Sequence, residues 1–302
     1  MKTSELVANQ LAMKLKLENQ LKPELRRLFK QMANDVKVVW LTTGHLPSLN
    51  SFHLEITSLL RSHYRRVYKK FKKEFSKGIK KTVPYREVKQ FAEGFFEEEN
   101  QNQNFLFPEV PLSVILGALV FAEQDVHTYI RNHSSEQASH IINTTEKDLR
   151  SDFGKTLLTS NASDTTGLAE ESINRFVTNI DNRVDTIAAT ETQTPSEAMK
   201  LIEITALVAI LGGSLAEDGS LRPGVVIKTW NTVVDGFARQ SHVRANGQTV
   251  LNNEPFVVDG QRLMSPGNGS LGASLKNIIN CRCIATYSVL PFGNIPVNTV
   301  LQ

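Results

Sequence analysis

Apolar residues recur at steps of three and four along the first two thirds of the chain, which is the period of an amphipathic helix. The N-terminal region carries two such stripes, Leu17, Leu21, Leu25, Leu28 and Met32 followed by Leu60, Tyr64, Tyr68, Phe71 and Phe75. Pro23 interrupts the first stripe. Because proline lacks the amide hydrogen that a helix interior needs, we expect one helix to end near Lys22 and another to begin with Pro23 in its first turn.

The middle of the chain continues the helical pattern. Leu112–Phe121 is predicted to be a buried core helix, with membrane contact as the alternative. A third amphipathic stripe consists of Ile173, Val177, Ile180, Val184 and Ile187. A further apolar helix is predicted over Ser196–Leu211 and should stop at Gly212-Gly213, because glycine commonly follows the last helical turn.

From Val225 onward the period changes from helical towards alternating. Val225–Trp230 is rich in β-branched and aromatic residues, which favours a strand. Asn246-Gly247 and Asp259-Gly260 are typical two-residue hairpin turns, since both central positions of such a turn take a positive φ.

The second of these turns is predicted to join a strand over Glu254–Val258 to one over Gln261–Met264. Ile278–Thr286 is predicted to be the last strand. Because side chains alternate along a strand, it would carry Cys281 and Cys283 on one face.

These patterns predict an α+β protein in which the N-terminal and middle regions are mostly helical and the C-terminus is a small module rich in antiparallel β-hairpins. The polar tract 97–104 is the best candidate for a linker. We therefore divide the chain into a basic helical N-terminal region (1–104), a helical middle region (105–185) and a C-terminal α+β module (186–302).

Composition narrows the class of protein. Hydrophobic residues make up 40% of the chain and charged residues 22%, which is typical of a globular protein. The longest apolar runs are shorter than the ~20 residues that span a bilayer, and the N-terminus lacks the apolar stretch of a secretory signal. We therefore expect cytosolic synthesis and no integral membrane association. Two cysteines exclude a disulfide framework.

The net charge of +3 conceals an uneven distribution. Residues 1–81 hold 18 lysines and arginines against 6 acids, whereas the remaining residues hold 16 against 25. The densest cluster is Arg61, Arg65, Arg66, Lys69, Lys70, Lys72, Lys73, Lys77, Lys80 and Lys81. This cationic helix face is consistent with a solvated surface, with contact to the phosphate backbone of DNA, or with docking on an acidic protein surface.

The C-terminal third carries an ordered set of residues that follows Ile187-Ala188-Ala189-Thr190-Glu191. The set consists of Trp230, Asp235, Arg239, His242, Gly247, Phe256, Pro266, Asn280, Cys281, Arg282 and Cys283. Over about residues 186–290 this pattern resembles the phage Mu F-like family of head morphogenesis (minor head) proteins. The sequence departs from that pattern at Ala189, where such proteins often have arginine, and at Asn268, where an acid is usual.

The resemblance implies a minor head (capsid) protein of a tailed bacteriophage. Such a protein is assembled in the host cytoplasm, lies near the portal vertex of the virion, and acts in head assembly, genome delivery or both. The implied partners are the portal protein, other head proteins and packaged DNA. The alternative function is an internal DNA-binding or ejected virion protein whose basic helix acts on the genome.

Two hypotheses account for the polar residues of this set. Asp235, Arg239 and His242 step by four and three, so they would share one helix face and form a buried polar network that staples the small module. Alternatively, His242, Cys281 and Cys283 bind zinc, with Asp235 or water as the fourth ligand. The thiols are closer in sequence than in common zinc motifs, and a disulfide between them is geometrically unfavourable.

The sequence contains none of the common catalytic motifs. A zinc deaminase needs His-x-Glu and Pro-Cys-x-x-Cys, whereas this chain has His242-Val243-Arg244 and Asn280-Cys281-Arg282-Cys283. A phosphate-binding loop, Gly-x-Ser-x-Gly and His-Glu-x-x-His are also missing. We therefore predict a non-enzymatic protein without a cofactor other than the candidate zinc, and a metal-dependent enzyme is the least favoured alternative.

Overall fold

A computed structural model of the protein describes residues 3–82, 112–159, 164–210, 226–233 and 238–289. Four long helices occupy most of the first two thirds of the chain: α1 (Thr3–Thr43), α2 (His53–Thr82), α3 (Leu112–Thr159) and α4 (Thr165–Ile210). A short 3-10 helix, Leu49–Phe52, precedes α2. The predicted linker 97–104 and the predicted stop at Gly212-Gly213 lie outside the described residues.

Helix α1 runs through Pro23 without a break, so the predicted end near Lys22 is wrong. An interior proline costs about 3 kcal/mol because it removes one hydrogen bond and crowds the preceding turn. The predicted apolar stripe on either side of it is buried, with Leu21 and Leu25 fully shielded from solvent. Burying one leucine side chain contributes roughly 1.5–3 kcal/mol, so the packing of this stripe outweighs the proline.

Helix α4 likewise continues through Pro195, whereas the sequence predicted a separate helix from Ser196. Its buried stripe differs from the predicted one at two positions. Phe176 packs inside while Val177 is exposed, and Ala188 is buried while Ile187 is half-buried. Leu112–Phe121 belongs to α3 and is helical as predicted. In α2 the predicted stripe is confirmed from Leu60 to Phe71, and the side chain of Phe75 lies outside the described residues.

The chain divides into two compact units. Unit 1 comprises Met1–Met13, Val67–Thr128 and Gln193–Gln302, and unit 2 comprises Lys14–Arg66 and Tyr129–Thr192. Each of the four long helices contributes residues to both units. Both units also draw on more than one of the regions predicted from the sequence, so the boundaries after residues 104 and 185 remain a prediction.

The C-terminal part of unit 1 contains the strands. A three-stranded antiparallel sheet has the order β2 (Thr249–Leu251), β1 (Val226–Asn231), β5 (Ile284–Val289). Its register places Trp230 opposite Ala285 and Ile227 opposite Leu251. A separate hairpin consists of β3 (Phe256–Val258) and β4 (Gln261–Leu263), and the short helices are α5 (Gln240–Ala245) and α6 (Leu275–Ile278). We call residues 226–289 the C-terminal module.

The two predicted turns have different outcomes. Asp259 and Gly260 both have positive φ, 53° and 72°, and join β3 to β4 as predicted. Asn246 has φ −59° and ψ 129° and Gly247 has φ 83°, which is a type II turn. That turn connects α5 to β2 and is not a hairpin. The prediction was wrong because the residues before the turn form a helix, which a two-residue motif does not reveal.

The predicted last strand over Ile278–Thr286 is wrong in its first half. Leu275–Ile278 is helical, and Asn280 adopts a left-handed conformation with φ 54°. The strand begins only at Ile284. Cys281 and Cys283 therefore lie in the irregular segment between α6 and β5.

The predicted fold class is confirmed, because the described residues are mostly helical and end in a small antiparallel module. Among the described residues, we find no helix with an apolar stretch sufficient to cross a membrane.

Unit 2 contains a buried polar cluster. Glu191 is 5% exposed and accepts a hydrogen bond from the Tyr64 hydroxyl. The ring of His133 stacks on Tyr64 and on Tyr129, at centroid distances of 5.6 and 4.8 Å. Burial raises the pKa of Glu191 to about 7, although the Tyr64 hydrogen bond opposes this shift. Burial also lowers the pKa of His63 to about 3 and that of His133 to about 4.

These pKa shifts predict a pH-dependent effect of Glu191→Gln. A carboxyl whose pKa is raised on folding stabilises the protein below its unfolded pKa, and this contribution is lost as pH rises through 7. The variant cannot ionise and does not lose this contribution. Its free energy of unfolding, taken relative to that of the natural chain, should therefore be a few kcal/mol larger at pH 8 than at pH 5, at about 1.4 kcal/mol per pKa unit. Urea unfolding at both pH values measures this difference.

The control is Glu170→Gln, which alters an exposed side chain paired with Lys37. It should change stability by less than about 0.5 kcal/mol at either pH. An equal effect of Glu191→Gln at pH 5 and pH 8 would contradict the raised pKa.

Candidate metal centre in the C-terminal module

One hydrophobic core holds the C-terminal module together. It contains Trp230, Phe256, Leu263, Cys281 and Cys283, each of which is at most 2% exposed. The Trp230 ring packs edge-on against Phe256, at a centroid distance of 5.3 Å. These residues come from β1, β3, β4 and the segment before β5, so residues far apart in sequence converge on one small core.

His242 enters this core from α5. Its ring meets Trp230 edge-on at a centroid distance of 5.6 Å, and the residue is 2% exposed. The Thr232 hydroxyl donates to the His242 carbonyl at 2.6 Å and accepts from the Trp230 indole at 3.0 Å. A chain of two hydrogen bonds therefore fixes the histidine backbone against β1.

The predicted helix that would carry Asp235, Arg239 and His242 is wrong at Arg239, because α5 begins only at Gln240. Arg239 is the N-cap of α5, and its extended backbone lies outside the helix. Its guanidinium donates to the Ile279 carbonyl, which ties the start of α5 to the turn before the cysteines. Asp235 lies outside the described residues.

Three potential metal ligands meet in the core. The Nδ1 atom of His242 lies 3.3 Å from the Cys283 sulfur and 3.7 Å from the Cys281 sulfur. All three ligand atoms lie within 4.8 Å of one another, and both cysteines are free thiols. Within the described part of the chain, no other group of three histidine, cysteine or acidic residues is arranged in this way.

The separations fit the dimensions of a tetrahedral site. With Zn–S of ~2.3 Å and Zn–N of ~2.0 Å, a tetrahedral zinc ion holds its sulfur and nitrogen ligands about 3.5 Å apart. The observed sulfur–nitrogen distances lie on either side of that value. They also fit S–H···N hydrogen bonds, so the cluster can hold a metal or stand as a polar network.

The electrostatics of the cluster favour a thiolate at Cys283. Its pKa is lowered mainly by a hydrogen bond with Cys281 and further by hydrogen bonds with His242 and Thr232, while burial acts in the opposite direction. Thiolate is the form of cysteine that binds metals. The Nε2 atom of His242 is buried and has no hydrogen-bond partner among the described residues.

A buried lysine closes the other side of the core. The Nζ of Lys228 donates to the Met264 carbonyl at 2.7 Å and lies 5.1 Å from the centre of the Phe256 ring. Burial lowers the pKa of Lys228 to about 8, while the nearby charge of Glu254 opposes the shift. This contact ties β1 to the loop after β4.

Helix α4 contacts the module through a short stretch that begins at Gln193. The Gln193 amide donates to the Cys283 carbonyl at 2.7 Å and lies 3.4 Å from the Pro266 carbonyl. Thr194 donates to the Gly267 carbonyl at 3.2 Å. Gly267 has φ 78°, and a Cβ atom there would lie 3.2 Å from the Gln193 side chain. Glycine therefore allows the loop to approach the helix closely.

Other residues singled out from the sequence lie in turns and loops of the C-terminal module. Gly247 supplies the positive φ of the turn before β2, and Asn280 supplies that of the turn before the cysteines. Arg282, between the two buried cysteines, is exposed. Asn268 accepts hydrogen bonds from the backbone and hydroxyl of Ser270, so it stabilises its own loop.

Sequence reasoning missed Thr232 and the residues of α4 that contact the module. One signal was available for the last group: Gln193, Glu197 and Lys200 step by four and three, which places polar groups on one face of a helix. Their partners in the module are backbone atoms, and a sequence pattern does not show these.

The basic cluster on α2 lies apart from the buried stripe. Arg65, Lys69, Lys70, Lys72 and Lys73 are exposed, and Lys72 lies 3.5 Å from Glu123. Arg61 and Arg66 are partly buried, and Arg66 pairs with Glu24 at 3.0 Å. The side chains of Lys77, Lys80 and Lys81 lie outside the described residues. We call Arg65, Lys69, Lys70 and Lys73 the cationic face.

Comparison of the chain with models of protein families, with curated proteins and with solved structures finds no match.

Proposed function

We propose that this chain is a minor head protein of a tailed bacteriophage, associated with the portal vertex and acting in head assembly or genome delivery. The observation that carries the proposal is the convergence of the residues that resemble the Mu F-like pattern. Trp230, His242, Phe256, Cys281 and Cys283 lie apart in the sequence yet share one buried core. A chance collection of matching residues would not be expected to form a single core.

The proposed role is structural and not enzymatic. Each candidate ligand of the centre is about 2% exposed, and the surrounding side chains are mostly apolar. A catalytic metal needs an open position that a substrate can reach. This burial favours a centre that holds the fold of an interaction module over one that performs chemistry.

The metal proposed for this centre is zinc, held by His242, Cys281 and Cys283 with Asp235 or water as the fourth ligand. Thiolate and imidazole are the ligands that zinc prefers in small structural sites. A module with so small a hydrophobic core gains much of its stability from such a staple. The sulfur–nitrogen distances of 3.3 and 3.7 Å support this assignment.

The second candidate function is an internal or ejected protein that binds the genome. The cationic face favours it, because four exposed cations on one helix are suited to a phosphate backbone. The portal protein and other head proteins are the partners proposed for the first function, and an acidic surface on one of them would compete for the same face.

The first function predicts where the protein is found. Quantitative mass spectrometry of virions from the phage whose genome encodes this chain should detect it in a few copies per particle. Cross-linking should recover it with the portal protein. A copy number equal to that of the major shell protein, or absence from both proheads and virions, would contradict the proposal.

The cationic face predicts salt-sensitive DNA binding by the full chain. Reversing Lys69, Lys70 and Lys73 to Glu should weaken binding to random-sequence duplex DNA. The slope of log affinity against log salt should shrink by about 0.9 for each phosphate that the variant no longer neutralises. The fold should survive, because these side chains are exposed.

The matched control for this change reverses Lys30, Lys147 and Arg150, which are exposed on α1 and α3. It changes the net charge by the same amount and should reduce the slope by less than the first variant does. An equal decrease of the slope in both variants, or an unchanged slope in the first variant, would show that the cationic face contacts protein or solvent and not DNA.

The zinc assignment predicts one equivalent of zinc in protein purified without a polyhistidine tag, measured by inductively coupled plasma mass spectrometry. EDTA should lower the melting temperature, because metal-binding energy in a small module is folding energy. Cys281→Ala with Cys283→Ala should abolish the metal, whereas Ser265→Ala, a buried residue of the same module, should retain it. Metal-free protein with EDTA-insensitive melting would identify the cluster as a polar network.

A further inference from the structure

The last strand of the module is held by one face of α4. Gln193 donates to the Cys283 carbonyl at 2.7 Å. Glu197 accepts from the Ala285 amide at 3.1 Å, and Lys200 donates to the Ala285 carbonyl at 3.1 Å. Three side chains of one helix thus bind backbone atoms on both sides of the point where β5 begins. We call Gln193, Glu197 and Lys200 the latch.

Two members of the latch form a buried ion pair. The Lys200 Nζ lies 2.7 Å from a Glu197 carboxylate oxygen, and the side chains are 3% and 0% exposed. Lys200 also donates to the Gln10 amide oxygen of α1 at 3.1 Å and lies 5.7 Å from the centre of the Phe71 ring of α2. Buried charges are tolerated when further hydrogen bonds complete them. Here Ala285 supplies part of that completion through its amide and its carbonyl.

Cys283 contacts the latch and is also a ligand of the proposed metal centre. Its carbonyl accepts from Gln193, while its sulfur lies 3.3 Å from His242. A bound metal would fix the Cys283 side chain, and with it the peptide that presents the carbonyl to Gln193. Ala285, which binds both charged groups of the latch, is two residues further along the chain.

We infer that metal occupancy of the His242–Cys281–Cys283 centre controls the docking of β5 on the latch. Removal of the metal frees the segment that leads into the strand, and the Glu197–Lys200 pair is then deprived of its backbone partners. The segment from Cys283 to Ala285 is then released from the latch. This inference rests on the proposed zinc site and names its regulatory consequence.

Hydrogen exchange with mass spectrometry on the full chain tests this coupling without any substitution. Zinc-loaded protein and protein treated with a chelator are compared after the metal content of each has been measured. Removal of the metal should increase exchange at residues 193–204 and 284–288. Residues 56–66 of α2, in unit 2, serve as the internal control and should exchange equally in both samples.

Reciprocity provides a second measurement. If the metal strengthens the latch, the latch must strengthen metal binding by the same factor. Gln193→Glu keeps the shape of the side chain but removes the donor to Cys283, so it should raise the apparent dissociation constant for Zn²⁺ by about tenfold, within the usual range of such couplings. Competition with a chromophoric chelator measures this constant. The control is Lys276→Gln, which removes a surface pairing with Asp259 in the same module.

The outcomes separate the two proposals. Protein that binds no zinc overturns both the zinc assignment and the coupling. Protein that binds zinc but shows unchanged exchange at 193–204 after chelation overturns the coupling alone. The same holds if Gln193→Glu binds Zn²⁺ as tightly as the natural chain does. Raised exchange in these peptides supports the coupling if Gln193→Glu also binds Zn²⁺ more weakly and Lys276→Gln does not.

Discussion

The buried pair Glu197–Lys200 links parts of unit 1 that come from distant segments of the chain. Two charges with almost no solvent contact are stable only when neighbouring groups replace the missing water. Gln10 of α1 and the backbone of Ala285 in β5 supply hydrogen bonds, and the Phe71 ring of α2 lies nearby. One lysine therefore joins elements from the beginning, middle and end of the chain.

The C-terminal module has only a small hydrophobic core. Trp230 and Phe256 are the largest apolar side chains of this core, and the Lys228 ammonium binds the Met264 carbonyl beside it. The two cysteines and His242 are buried in the same interior. Whether bridged by metal or by hydrogen bonds, this polar cluster is surrounded by apolar groups, where electrostatic attraction is stronger than in water.

The cationic face and the candidate metal centre are formed by different residues. The cationic face lies on α2, outside the buried stripe, so the polyanion binding proposed for it would leave the helix packing intact. His242, Cys281 and Cys283 are buried in the C-terminal module. The proposed binding surface and the proposed metal centre are therefore formed by different side chains.

The sequence alone determined the helical stripe of α2, the strand at Trp230 and the Asp259-Gly260 hairpin, because local periodicity and backbone preference specify each of them. The same periodicity placed the cationic face of α2 away from its buried stripe. The sequence also identified His242, Cys281 and Cys283 as candidate ligands. Only the tertiary structure decided that α1 passes through Pro23, since the burial of distant leucines outweighs the local cost of proline. It also decided that the thiols meet His242 and that Glu197 and Lys200 hold β5, because those contacts join distant segments and backbone atoms that no residue spacing reveals.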